Sequence, residues 1–161
     1  LVIDAYKQVQ TDWPLVIVGG NPYDPAYVDG LKSLADPRVV FLGGVYGPGY
    51  WQLLRNSGLY VFACEVGGVH PALVEAMAAE KAILYLDTPE NRETASESAV
   101  TFRHDASDLA ARMTQLLGNE SLRTEFARKG HGRAGAVFSW DSITRSYEAI
   151  FAELLKKSGR Q

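Results

Sequence analysis

Strand-length apolar runs separated by amphipathic stretches limit this chain more than any other feature. The runs are Pro14 to Val18, Val39 to Leu42, Leu59 to Cys64, Ala82 to Leu86 and Ala99 to Arg103. They are nearly continuous in Val, Ile, Leu, Phe and Tyr and lack the alternation of a half-exposed strand. A strand that is apolar on both sides must be buried on both faces, which is the habit of parallel sheets. Between the runs, Tyr27 to Ala35, Gly49 to Asn56 and Pro71 to Glu80 place apolar residues at helical spacing. Strands alternating with helices predict an α/β fold, a Rossmann-like parallel sheet sandwiched by helices.

Past about residue 104 the strand pattern stops. Ser107 to Leu117 and Glu120 to Lys129 read as two short helices joined at Gly118-Asn119, followed by a loop around Gly130, Gly132 and Gly135. Ser139 is placed as the N-cap of a last helix, Trp140 to Lys157, with Ile143, Tyr147, Ile150, Phe151 and Leu154 on one face. The expected architecture therefore ends in a C-terminal helical tail. At the other end, Leu1 to Val9 are already at helical spacing, with no initiator Met and no N-cap. The expectation is a fragment whose upstream residues lie outside this sequence.

Composition bounds the partners. A chain of 161 residues is one domain's worth, enough to bury roughly two thirds of its unfolded surface. A net charge of −3 with no basic block gives no footprint for nucleic acid or an anionic membrane. Cys64 stands alone, so no internal disulfide and no cysteine-based metal site is expected, and a cytoplasmic location follows as the expectation. It reads as a small packing residue and not as a nucleophile.

In an open parallel sheet the ligand lies off the C-terminal strand ends, where loops feed helix N-termini. Gly19-Gly20-Asn21-Pro22 is the first such loop, and it reads either as a close backbone approach to a ligand or as a tight turn. The second, Gly43 to Tyr50, presents Tyr46 and Tyr50 as exposed aromatics that stack on a base or pack on a neighbouring helix. In the third, Glu65-Val66-Gly67-Gly68-Val69-His70 runs into Pro71-Ala72-Leu73-Val74-Glu75. Proline suits the first helical turn, and a glycine-rich turn feeding a helix N-terminus offers orphan N–H groups to a diphosphate. No Walker Lys-Ser/Thr is present. Glu75, one turn in, can reach a ribose diol or merely favour the helix dipole; His70 can donate to a phosphate or sugar oxygen or bond locally. The fourth loop, Asp87 to Glu93, gathers carboxylates, an amide and a guanidinium, or is a solvated helix start at Pro89. His104 and His131 read as surface residues.

Residues 59–79, with Gly67-Gly68, Pro71, Leu73 and Glu75-Ala76-Met77-Ala78, resemble the donor-binding loop of glycosyltransferase family 4, retaining enzymes of the two-domain GT-B fold. Leu15 to Gly19, Arg38 to Gly43 and Phe138-Ser139-Trp140 are similar to that family's second strand, third strand and closing-helix start. Val45 to Tyr50, Val66 to Met77 and Asp87 to Glu93 are similar to a bacterial subgroup that includes rhamnosyltransferases. The resemblance implies the C-terminal, donor-binding half of such an enzyme, inactive alone. Its donor would be a nucleoside diphosphate sugar, its acceptor a glycan or lipid-linked molecule held by the other domain, and no metal or cofactor would be needed. Peripheral membrane association of the full enzyme is left open.

Carried over residue by residue, the resemblance makes Glu75 the ribose-holding glutamate of the family's E-x7-E motif. The motif's first glutamate falls at Gly67, and Glu65 lies two residues earlier. Gly68, Val69 and His70 would face sugar and diphosphate; Gly44, Val45 and Tyr46 would meet the base; Gly19 and Leu73 complete the implied site. No residue of this chain is implied to be catalytic. The family's diphosphate-binding Arg and Lys would precede Leu1. The alternatives are a non-catalytic α/β binding module, favoured by Gly67, and a nucleotide-sugar epimerase of related architecture.

Overall fold

The computed structural model describes residues 1–158. In chain order the elements are α1 (Val2–Lys7), β1 (Leu15–Val18), α2 (Pro25–Leu34), β2 (Val39–Gly43), α3 (Pro48–Asn56), β3 (Tyr60–Phe62) and α4 (Pro71–Ala78). There follow β4 (Ile83–Leu86), α5 (Pro89–Ala95), a 3-10 turn (Ser96–Ser98), β5 (Val100–Phe102), α6 (Ala106–Leu117), α7 (Glu120–Val137) and α8 (Trp140–Ser158). Every expected strand is present, and all strand pairings are parallel.

The strands form two sheets where one was expected: β1 with β2, and β3-β4-β5 with β4 central. Between the starts of β1 and β3 lies a cavity of about 90 Å³ lined by Trp13, Leu15, Gly58, Leu59 and Val61. The indole of Trp13 lies against Gly58, where a Cβ would come within 2.0 Å of the ring. That wedge accompanies the missing backbone pairing between the two sheets.

The central strand explains the continuous apolar pattern. Ile83, Leu84, Tyr85 and Leu86 are all buried, with Leu84 and Leu86 in one core and Ile83 and Tyr85 in the other. The first core also takes Tyr6 within α1 and Val9 just after it, and Leu109, Met113 and Leu116 from α6. The second takes Leu73, Ala76 and Met77 from α4 and Ala134 from α7. Fully burying one such side chain is worth about 1.5–3 kcal/mol, so the layers on either side of β4 dominate the stability.

One expectation fails in the tail. Gly130, Gly132 and Gly135 do not form a loop; they lie within the continuous helix α7. Its buried residues Ala127, Gly130 and Ala134 share one face, and Gly130 sits where a Cβ would be 3.7 Å from Cα of Met77. Small residues let α7 lie close on α4, and this packing outweighs a helix-propensity cost of about 1 kcal/mol per glycine. The guanidinium of Arg133 donates to the carbonyls of Thr94 and Glu93, and His131 meets the carbonyl of Ala78 at 2.9 Å. Both contacts satisfy last-turn carbonyls of α5 and α4 that would otherwise be orphaned. Arg123 does the same for Leu116 and Leu117 of α6.

Ser139 caps α8 as expected, accepting from the N–H of Ser142. No residue of α8 is buried, and Tyr147, Ile150, Phe151 and Leu154 stand exposed along it. Among the described residues, no helix is long and apolar enough to cross a membrane.

Candidate functional site

β3 ends at Phe62 and α4 begins at Pro71, so residues 63–70 leave the sheet's C-terminal edge and feed a helix start. His70 is the N-cap without a side-chain cap bond, and Pro71 occupies the first turn, where its missing N–H costs nothing. Among the described residues, the N–H groups of Gly67, Gly68, Val69 and His70 donate to no protein acceptor. Gly67, Gly68 and Val69 are exposed, so these donors are open to solvent. Together with the positive end of the helix dipole they form a ledge suited to an anion.

Gly67 and His70 specify each other. Gly67 has φ +153°, which L side chains avoid, and a Cβ on it would come within 2.2 Å of Cε1 of His70. The imidazole fills that space and meets the ring of Phe62 edge-on, with centroids 4.9 Å apart. The ring thus packs inside the turn, and the turn-facing donor of this residue is its backbone N–H. Gly68 differs: a Cβ there has no heavy atom within 4 Å.

Glu75 is half-buried one turn into α4. The hydroxyl of Tyr50, in the first turn of α3, donates to its Oε2 at 2.6 Å. Burial, reinforced by the bond to Glu75, pushes the Tyr50 phenol well above its ordinary range. Burial and the charge of Glu75 also raise Tyr60. The carboxylate therefore lies near two phenols that keep their protons at neutral pH. A carboxylate has about four acceptor positions, so the one bond to Tyr50 leaves room for a diol.

The other expected site residues divide. Gly44, Val45 and Tyr46 lie in the loop before α3; Tyr46 is 87% exposed and its ring folds over Gly44, while Val45 packs against Gly49. Tyr50 takes the other of its two readings: it is half-buried and packs on the neighbouring helix α4 at Glu75. The N–H of Gly19 donates to the carbonyl of Gly43 at 2.7 Å, closing the β1–β2 edge, so it is not free for a ligand. Leu73 is a correction: its side chain is wholly buried and its N–H donates to the carbonyl of His70. It supports the turn from beneath and cannot line a ligand.

In the fourth loop, Asp87 and Arg92 form a two-bond pair at 2.5 and 2.6 Å, and Thr88 caps α5 by accepting from the N–H of Asn91. Asn91, expected among solvated groups, is fully buried. His104 is exposed as expected but has company: its Nε2 lies 2.9 Å from Oε1 of Glu65. Cys64 is partly buried, and its thiol donates to the carbonyl of Val66. Among the described residues, no group of three or more His, Cys, Asp or Glu side chains could hold a metal.

Parallel strands covered by helices, with an unpaired-amide turn at one helix start, define a Rossmann-like domain. The chain belongs to the family described as glycosyl transferases group 1, whose pattern matches residues 1–119. The capsular polysaccharide biosynthesis glycosyltransferase CapM of Staphylococcus aureus is 26% identical over 136 residues, covering 81% of this chain and 34% of CapM. Anabaena HepE, solved in complex with UDP and glucose, matches with a TM-score of 0.85 at 18% identity, over 94% of this chain and 44% of that one. The C-terminal domain of LpcC, a glycosyl transferase group 1 family protein of Francisella tularensis, matches at 0.74 and 19% identity, over 86% of this chain and 77% of that one. At such identities the solved structures speak for the fold alone. The chain spans about a third of the curated relative and less than half of HepE.

Proposed function

We propose that the turn between β3 and α4 grips the diphosphate of a nucleoside diphosphate sugar and that Glu75 holds its ribose. The observation that carries this reading is the set of free N–H groups at Gly67, Gly68, Val69 and His70, with the Glu75 carboxylate one helical turn away. Gly44, Val45 and Tyr46 are assigned to the base. Gly19 and Leu73 keep supporting roles only. In this reading the chain is the donor-binding, C-terminal half of a retaining, family 4 glycosyltransferase acting in the cytoplasm. The whole enzyme moves the sugar to a glycan or lipid-linked acceptor held by its other domain, toward which the apolar face of α8 packs.

Such a transfer needs positioning and neutralisation of the leaving diphosphate more than it needs a reacting side chain, and we assign no catalytic residue or metal here. CapM's role in capsular polysaccharide biosynthesis and the UDP bound by HepE support the reading. Gly67 cannot supply the sugar-contacting carboxylate that the wider family places there. The Gly67-Gly68 pair instead supports the bacterial subgroup that includes rhamnosyltransferases.

Calorimetric titration of the full-length protein with UDP, GDP, dTDP and ADP tests this. One of them binds saturably, and Glu75→Gln weakens that binding by about 1–3 kcal/mol. Absence of binding by all of them overturns the proposal.

A further inference from the structure

The pairing of β3 with β4 ends at Phe62 opposite Tyr85. Just beyond, Nδ2 of Asn91 donates to the carbonyl of Cys64 at 3.0 Å and to that of Leu86 at 2.9 Å. One amide nitrogen thus uses both hydrogens to join the two segments where the ladder has stopped. Cys64 is the residue from which the turn at 65–70 departs. Asn91 is itself held: its N–H donates to Oγ1 of Thr88, and α5 is tied to α7 through Arg133.

Within the turn, the Cys64 thiol meets the carbonyl of Val66, Glu65 meets His104, and the His70 ring packs over Gly67. Val66 is 86% exposed and Val69 58% exposed, so its own side chains bury little against the body. Its order depends as well on its two ends, Pro71 on α4 and the root at Cys64. At the root, Oδ1 of Asn91 is buried with no hydrogen-bond partner. An unpaired buried acceptor works against stability, so the position is explained by the two donors and not by the oxygen.

We infer that Asn91 is a positioning residue for the Gly67-Gly68 turn: its Nδ2 fixes the root at Cys64 against the end of β4 and so sets where the free amides point. Its link to nucleotide affinity rests on the diphosphate reading above, whereas its hold on the turn does not.

The test uses Asn91→Ala in the full-length protein, and the isosteric Asn91→Asp should the first fail to fold. Leu109→Ala, which opens the core on the other face of the sheet, serves as a destabilised control. Amide relaxation reports order in residues 67–70, calorimetry reports affinity for whichever of UDP, GDP, dTDP and ADP the wild type binds, and thermal melting reports stability. Expected are lower order parameters at residues 67–70 with α7 unchanged, and that affinity down on the order of tenfold. Leu109→Ala should lose melting temperature and keep affinity. Wild-type order in the turn overturns the inference, and so does an affinity loss that Leu109→Ala reproduces. If the wild type binds none of UDP, GDP, dTDP and ADP, the diphosphate assignment falls while the relaxation arm still decides whether Asn91 holds the turn.

Discussion

The Tyr50 hydroxyl donates to Oε2 of Glu75 at 2.6 Å, tying the first turn of α3 to α4. The two helices follow strands of different sheets, so this bond couples the loop assigned to the base with the carboxylate assigned to the ribose. The donor fixes one oxygen of a half-buried carboxylate and so orients the other.

Tyr50→Phe removes the donor and keeps the ring. Nucleotide affinity should fall by about 0.5–1.5 kcal/mol in the wild-type background. In a Glu75→Gln background the same change should cost less, since the two residues act as one unit. Strictly additive losses in this double-mutant cycle would show that the bond does not orient the carboxylate.

Gly67 and Gly68 should respond differently. Gly68→Val enters open space, so stability should stay within about 0.5 kcal/mol while nucleotide binding is lost. Gly67→Ala meets the His70 ring and an unfavourable φ, and should cost about 1–3 kcal/mol of stability as well. Equal melting temperatures for the two variants would contradict the packing of His70 over Gly67.

Gly130→Ala should raise stability by up to about 1 kcal/mol, because the added methyl makes ordinary contact with Met77 and the helix gains propensity. A lowered melting temperature would mean that α7 and α4 are closer than this contact allows.

Acid should destabilise the domain through identifiable carboxylates. The backbone N–H and guanidinium of Arg103 hold Asp108 below its ordinary range, and the Arg38 side chain and N–H hold Asp36 there. Both folded values lie under the unfolded ones. The stability they contribute is therefore whole above the ordinary carboxylate range of about pH 4 and is lost as pH falls through the folded values. Asp108→Asn should flatten the acid limb of a melting-temperature profile and leave its shape near neutrality unchanged. An unaltered acid limb would remove Asp108 from this role.

The central strand was legible because burial on both faces writes an unbroken apolar run from Ile83 to Leu86. In contrast, β1 and β2 carry the same kind of run but, against expectation, expose Val16, Val18, Val40 and Leu42. The division into two sheets was not legible, and neither was the contact of Trp13 with Gly58 that accompanies it, which has no periodic signature. The glycines of α7 misled because local propensity speaks for a loop while packing on Met77 decides for a helix. At the site, the Gly-Gly turn and Pro71 announced themselves. So did Glu75, but its bond to Tyr50, 25 residues away, did not, because only the fold brings the two together. Asn91 stayed hidden among polar residues of α5, most of which remain at the surface while Asn91 and Thr94 turn inward.

The central claim is that the amides at the mouth of α4 hold a diphosphate, and an amide-resolved NMR titration of the full-length protein addresses it most directly. With whichever of UDP, GDP, dTDP or ADP binds, the signals of Gly67, Gly68, Val69 and His70 should shift together and saturate on one isotherm. Saturable binding that leaves these signals in place while moving others would contradict it.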